Sequence, residues 1–301
     1  MGGAAASWPK GLDSLTVVVG LAVEYCMICG LASFFLGPTA FLLSSLVLLL
    51  QFLIAAETLD QRHPSATWIL LAWVVTAVMA LLVGGRNYHA LVAPYSTAKA
   101  GRSYPSVPVS ATAVAHADAG ILYFEKGVTV DDTRSVGLRI FGSTYCVAPV
   151  LSGEPSTQPG IPGPEVQFWA VGLDCCGARG GFDCDDSGNS EAHGGVVLHG
   201  PEEGEEAASR KVLAPRILHE GYSRAVEAAC ALYDLQTVES PILLRWVVNA
   251  DRLLNRWFAG AVMVWIVSSV LYCMLVGVVW FLFINRARRK PGAGVSKPLL
   301  P

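Results

Sequence analysis

Four long apolar runs constrain this chain more than any other feature. A helix needs about 20 mostly apolar residues to cross the hydrocarbon core of a bilayer. Leu15–Leu36 carries one charge, Glu24, while Thr39–Ala56, Trp68–Gly84 and Ala259–Ile284 carry none. Only 15% of the 301 residues are charged, against about 25% in soluble domains. The first two runs are separated by Gly37-Pro38, a turn dipeptide, which reads as a tight membrane hairpin.

The loop charges set an expected orientation. After the fourth run the chain carries Arg286, Arg288, Arg289, Lys290 and Lys297 with no acid, and basic residues next to a span stay cytoplasmic. Counting back gives a cytosolic N-tail (1–14), spans at 15–36, 39–56 and 68–84, and a cytosolic loop at 57–67. An extracellular or lumenal domain at 85–258, a fourth span at 259–284 and a basic cytosolic tail at 285–301 complete the expectation. The first span is expected to act as its own targeting signal, since no small-residue cleavage site precedes a soluble segment. The fold class is therefore an α-helical membrane protein of four transmembrane helices, with a disulfide-stabilised α+β ectodomain inserted between the third and fourth. Plasma membrane and endomembrane are both open.

The ectodomain is acidic, with 20 acids against 14 bases, and the remainder of the chain is basic, with four against seven. An acidic outward surface argues against nucleic acid as a partner. The first part reads as strands at 121–124, 128–130, 135–150 and 166–173, short runs rich in β-branched and aromatic residues and bounded by Gly or Pro. After Pro215, the residues Ile217, Leu218, Tyr222, Val226, Ala229, Cys230 and Tyr233 form one helical stripe. Ser240-Pro241 reads as the cap and first position of a further helix running into the fourth span, with Trp246 and Trp257 at headgroup depth. Residues 85–117 read as an irregular lead-in.

Eight cysteines divide by location. Cys26, Cys29 and Cys273 lie in spans. Cys146, Cys175, Cys176, Cys184 and Cys230 lie in the ectodomain, where an oxidising compartment favours structural disulfides. Five is odd, so at most two bonds form within the chain and one thiol is left over. Successive residues of a strand face opposite ways, so Cys175 and Cys176 are expected to find different partners. Spacing does not give the connectivity; a bond from one of the pair to Cys230, tying helix to sheet, is the favoured expectation. Zinc sites need two separated ligand pairs, and here there is one vicinal pair.

Two other features invite chemistry. Asp183, Asp185, Ser187 and Asn189 follow the early spacing of a calcium loop, but its twelfth position is Gly194, so a solvated acidic turn is the expected reading. Glu24 is the single acid within a span, and intramembrane acids mark ion paths or fix helix packing. No nucleophile elbow, P-loop, zinc-protease helix or dinucleotide fingerprint occurs. No catalytic residue, resident metal or cofactor is expected.

The topology and the Cys175-Cys176-Gly177 triplet resemble those of tetraspanins. That resemblance implies structural disulfides for Cys175 and Cys176 and a role in organising partner proteins laterally. The chain also resembles a group of multi-span membrane proteins of single-celled eukaryotes. The shared blocks are TRSVG (133–137), YCVAPV (145–150) and FWAVGLDCC (168–176), followed by Phe182-Asp183-Cys184. This likeness implies a shared fold without an established activity. The expected partners are the lipid bilayer and other membrane or extracellular proteins, with a homo-oligomer also open. The function expected is non-catalytic binding or organisation of partners; the alternatives are a transporter or channel component using Glu24, and a redox-active ectodomain.

Overall fold

A computed structural model describes residues 14–35, 46, 49, 64–140, 142–152, 165–199 and 213–288. The expected second span and the loop after it fall almost wholly outside these residues, as do Arg289 and Lys290. Among the described residues, three helical stretches are long and apolar enough to cross a membrane: Leu15–Phe34, Ile69–Ala100 and Ala250–Leu282. The chain divides into a helical unit (1–88 and 260–301) and an α/β unit (89–259).

In the helical unit, helix α1 (Ser14–Phe34) lies against α2 (Pro64–Asn87) along Val17, Leu21, Tyr25, Ile28 and Cys29 on one side and Ile69, Ala77 and Ala80 on the other. Small residues permit the approach: a side-chain carbon at Gly84 would come within 2.6 Å of Ala32 and 2.7 Å of the Cys29 carbonyl. The last helix, α5 (Ala250–Arg288), supplies Tyr272, stacked on Tyr25 with ring centroids 4.2 Å apart, and Trp265, whose indole N–H donates to the Cys26 carbonyl (3.1 Å). Outward-facing residues such as Val19, Val23, Val74, Val78, Leu271 and Leu275 are apolar and exposed, the surface a helix presents to lipid.

The α/β unit is built on one eight-stranded mixed sheet. Its strands are β1 (Arg102–Val107), β2 (Ala119–Phe124), β3 (Val128–Val130), β4 (Val136–Ile140), β5 (Ser143–Ser152), β6 (Val166–Leu173), β7 (Gly194–Val197) and β8 (Thr237–Val247). They lie in the order β1-β2-β7-β8-β6-β5, with β4 and β3 end to end along the outer edge of β5, β4 against Ser143–Val147 and β3 against Val150–Ser152. β1/β2 and β6/β8 are parallel and the rest antiparallel. Strands β5 and β6 are near-continuously apolar because both faces are covered.

On one face Cys146, Ala148, Val150, Phe168, Ala170, Leu244 and Trp246 pack with Phe182 and Cys184 from the loop after β6. On the other, Val147, Trp169, Val171 and Leu243 receive Tyr222, Ala225, Val226 and Ala229 from α4 (Leu213–Tyr233). Farther along that face, Ala98 of α3 (Ala93–Ala100) and Leu253, Leu254 and Trp257 from the start of α5 cover Ile121, Val196 and Val247.

The four strands read from sequence are present, with 135–150 divided into a β4–β5 hairpin at Gly142, whose φ of +94° suits glycine. Three expectations are corrected. Pro241 does not open a helix: it lies within β8, and α5 starts only at Ala250. The β6–β8 register shifts between Val166 and Phe168, and this irregular stretch takes the proline without losing a ladder bond. Trp246 and Trp257 are core side chains of the α/β unit, 2% and 8% exposed, and are not headgroup anchors. The lead-in is also ordered: it holds α3 and the edge strand β1.

Candidate functional site

The chemistry of the α/β unit concentrates at the end of β6. The strand stops at Leu173, and Asp174 adopts a left-handed conformation (φ +55°) that turns the chain back. That turn is closed at both ends against β5: the Asp174 N–H donates to the Thr144 carbonyl (2.8 Å) and its carboxylate accepts from the Thr144 N–H (2.7 Å). Cys175 and Cys176 follow, both half-buried. Gly180 and Gly181, each at φ +70°, then let the loop lie along the free edge of β4, where Arg179 bridges to Val136 and the Gly180 N–H donates to the Ser135 carbonyl (2.9 Å). This covers an edge that would otherwise expose unpaired backbone groups.

Two disulfides form here, Cys146–Cys176 and Cys175–Cys184, with Cα separations of 5.8 and 5.1 Å. The vicinal pair does take different partners. Cys230 takes neither: it carries a free, partly buried thiol on α4, on the opposite face of the sheet from the disulfides. The helix-to-sheet bond expected from sequence is thus absent, and apolar packing of Tyr222, Val226 and Ala229 joins those elements instead. Cys26, Cys29 and Cys273 are also free.

Sequence reasoning missed how the disulfides are seated. Cys146 pairs with Gly137 on β4 and with Gly172 on β6, so both its in-plane neighbours lack side chains. A carbon added at Gly137 would lie 2.7 Å from the Cys176 sulfur; one at Gly172 would lie 2.5 Å from the sulfurs of Cys175 and Cys184. The blocks TRSVG, YCVAPV and FWAVGLDCC thereby meet in three adjacent strands, each contributing one member of the Gly137–Cys146–Gly172 row. The signal was present in the sequence as a glycine at the end of one block and within another, but only the register reveals it.

The calcium-loop candidates do not converge. Asp185, at φ +53°, gives its carboxylate to the guanidinium of Arg245, with the Nε contact at 2.6 Å, and Arg245 lies over the Trp257 ring at 5.9 Å. Ser187 donates to the Phe182 carbonyl (3.1 Å) and the Asn189 side chain accepts from the Glu191 N–H (2.9 Å). Asp183 is exposed. Asp186 accepts from the Val248 N–H (2.9 Å), so the turn is strapped to the end of β8. Among the described residues, the one cluster with metal-ligand spacing is the sulfurs of Cys146, Cys175 and Cys184, and all three are already bonded. These sulfurs are disulfide sulfurs and offer no thiolate to a metal.

Asp131 caps a short 3-10 turn (Asp132–Arg134) beside this region, accepting from the backbone of Thr133 and Arg134 and from the Arg134 guanidinium. Burial alone would raise its carboxyl, but these donors outweigh it and hold it below the usual carboxylate range. Burial pushes the Tyr222 hydroxyl up.

In the helical unit Glu24 is 1% exposed, and among the described residues neither carboxylate oxygen has a hydrogen-bond partner. Arg286 and Arg288 lie in the last turn of α5. The chain matches no protein-family model, and neither curated proteins nor solved structures offer a significant match to it.

Proposed function

We propose that this is a four-span membrane protein with both termini in the cytosol, whose α/β unit faces the extracellular or lumenal side and binds or organises other proteins without catalysis. The observation that carries the reading is the insertion of a doubly disulfide-bonded α/β unit between helices apolar and long enough to cross a membrane. Disulfides persist in oxidising compartments, which favours the outward side for this unit. The basic residues after α5 favour the cytosolic side for the C-terminus. The tetraspanin-like role follows the Cys175-Cys176-Gly177 triplet and the order of spans. Crosslinking in intact membranes, followed by affinity purification in mild detergent, tests it. A reproducible protein partner whose crosslinks map to residues 89–259 supports the reading, and recovery of the protein alone under all crosslinker lengths opposes it.

A second reading rests on Glu24, buried without a hydrogen-bond partner among the described residues in the interior of an apolar helix pair. Desolvated acids of this kind serve ion or proton pathways. Solute or ion flux into proteoliposomes that disappears in Glu24→Gln would favour a transporter or channel component over the first reading.

A further inference from the structure

The two disulfides are neighbours in space as well as in sequence. The Sγ atoms of Cys146, Cys175 and Cys184 all lie within 4.8 Å of one another. Cys146 and Cys184 are both buried in the same apolar cluster, 0% and 2% exposed, whereas Cys175 and Cys176 are half-buried at its margin. The sulfurs of Cys175 and Cys184 fill the space over β6 that a side chain at Gly172 would take.

We infer that the four cysteines are one thiol–disulfide exchange unit with a second pairing, Cys146–Cys184, whose formation frees Cys175 and Cys176 as a surface vicinal dithiol. The reductant is a dithiol, small or protein-borne. One of its thiolates attacks the Cys175 sulfur, which belongs to the less buried member of that disulfide, forming a mixed disulfide and expelling the Cys184 thiolate. That thiolate attacks the Cys146 sulfur beside it, closing the Cys146–Cys184 bond and expelling the Cys176 thiolate. The second thiol of the reagent then resolves the mixed disulfide, leaving as a cyclic or intramolecular disulfide and releasing Cys175. Two electrons pass from the dithiol to the protein. The two protons of the dithiol end on Cys175 and Cys176. Proximity makes the internal step unimolecular, so it outruns attack by a second reagent molecule. The product carries adjacent thiols at the surface, a chelating pair for trivalent arsenicals and a substrate for dithiol oxidants. The buried bond keeps the loop anchored to β5.

The inference rests on sulfur positions and does not depend on the proposed partner-binding role. It is tested on the full-length protein in detergent by two measurements. In Cys176→Ser, Cys146 is left as a thiol beside the Cys175–Cys184 bond, and exchange needs no reductant. Maleimide without denaturant is expected to label Cys175, with Cys146–Cys184 crosslinked in the fragment spectra. A free thiol found on Cys146 alone, with Cys175–Cys184 intact, overturns the inference. In the native sequence, brief treatment with dithiothreitol and quenching with maleimide is expected to add two labels, on Cys175 and Cys176, beyond those taken by the free cysteines Cys26, Cys29, Cys230 and Cys273 without reductant. Added labels on Cys175 with Cys184, on Cys146 with Cys176, or direct passage to labels on all four disulfide cysteines count against it, so the native protein decides the matter if the variant does not fold.

Discussion

Cys146 sits across the β5–β6 ladder from Gly172, and the sulfurs of Cys175 and Cys184 occupy the volume that a side chain at Gly172 would take. The strand row and the loop disulfide are therefore fitted to each other at a single position.

Gly172→Ala tests that fit. Its methyl would lie 2.5 Å from two bonded sulfurs and 2.7 Å from the Cys184 Cβ, none of which is the free end of a flexible chain. Overpacking of this kind costs about 1–3 kcal/mol. Thermal melts of the purified protein should show that loss, whereas exposed Leu173→Ala next to it should stay within about 0.5 kcal/mol. Equal stability of the two variants would contradict the packing described.

The Asp185–Arg245 pair holds the acidic turn to β8. Its side chains are only 13% and 32% exposed, and Arg245 also covers the Trp257 ring. Asp185→Asn leaves the guanidinium without its counter-charge and should cost about 1–3 kcal/mol. A double-mutant cycle with Arg245→Met is expected to return a coupling above about 0.5 kcal/mol. Additive single-site losses would remove the latch from the account.

Asp131 gives a pH signature. Its carboxyl lies below the ordinary value of 3.8 in the folded chain, so its contribution is fully present above that value and is lost as pH falls through the lower, folded one. Asp131→Ala should therefore cost about 1 kcal/mol near neutral pH, and the gap to the unmodified protein should close in strong acid. A gap that widens on acidification would contradict the sign.

Between the apolar helices, the Tyr272 hydroxyl donates to Thr76 Oγ1, which itself donates to the Ala72 carbonyl. Hydrogen bonds between membrane helices average about 0.6 kcal/mol. Tyr272→Phe keeps the stack on Tyr25 and should lose about that much in a detergent-unfolding titration, with Thr76→Val giving no additional loss in the double variant.

Strand β6 was legible to the residue because Val166–Leu173 is a bounded run of β-branched and aromatic residues buried on both faces. The α4 stripe was legible because Tyr222, Val226 and Ala229 recur at helical spacing. β8 was not, because Pro241 in an apolar run looks like a helix start unless the register shift that accommodates it is known. β7 was invisible for another reason: four residues, two of them glycine, carry no period. The cysteine pairing depended on which residues stand opposite Cys146. That is a property of strand register, which spacing along the chain does not encode. Cys230 was misassigned because its helical stripe packs on the opposite sheet face from the disulfides.

A disulfide-locked α/β unit set between helices apolar and long enough to cross a membrane is tested most directly by a non-reducing cysteine map. Membranes are alkylated before solubilisation, the protein is digested, and electron-transfer fragmentation separates Cys175 from its neighbour Cys176. The expected map holds Cys146–Cys176 and Cys175–Cys184 links with Cys230 unlinked. Alkyl groups on Cys146, Cys175, Cys176 and Cys184 in the untreated membranes would contradict it.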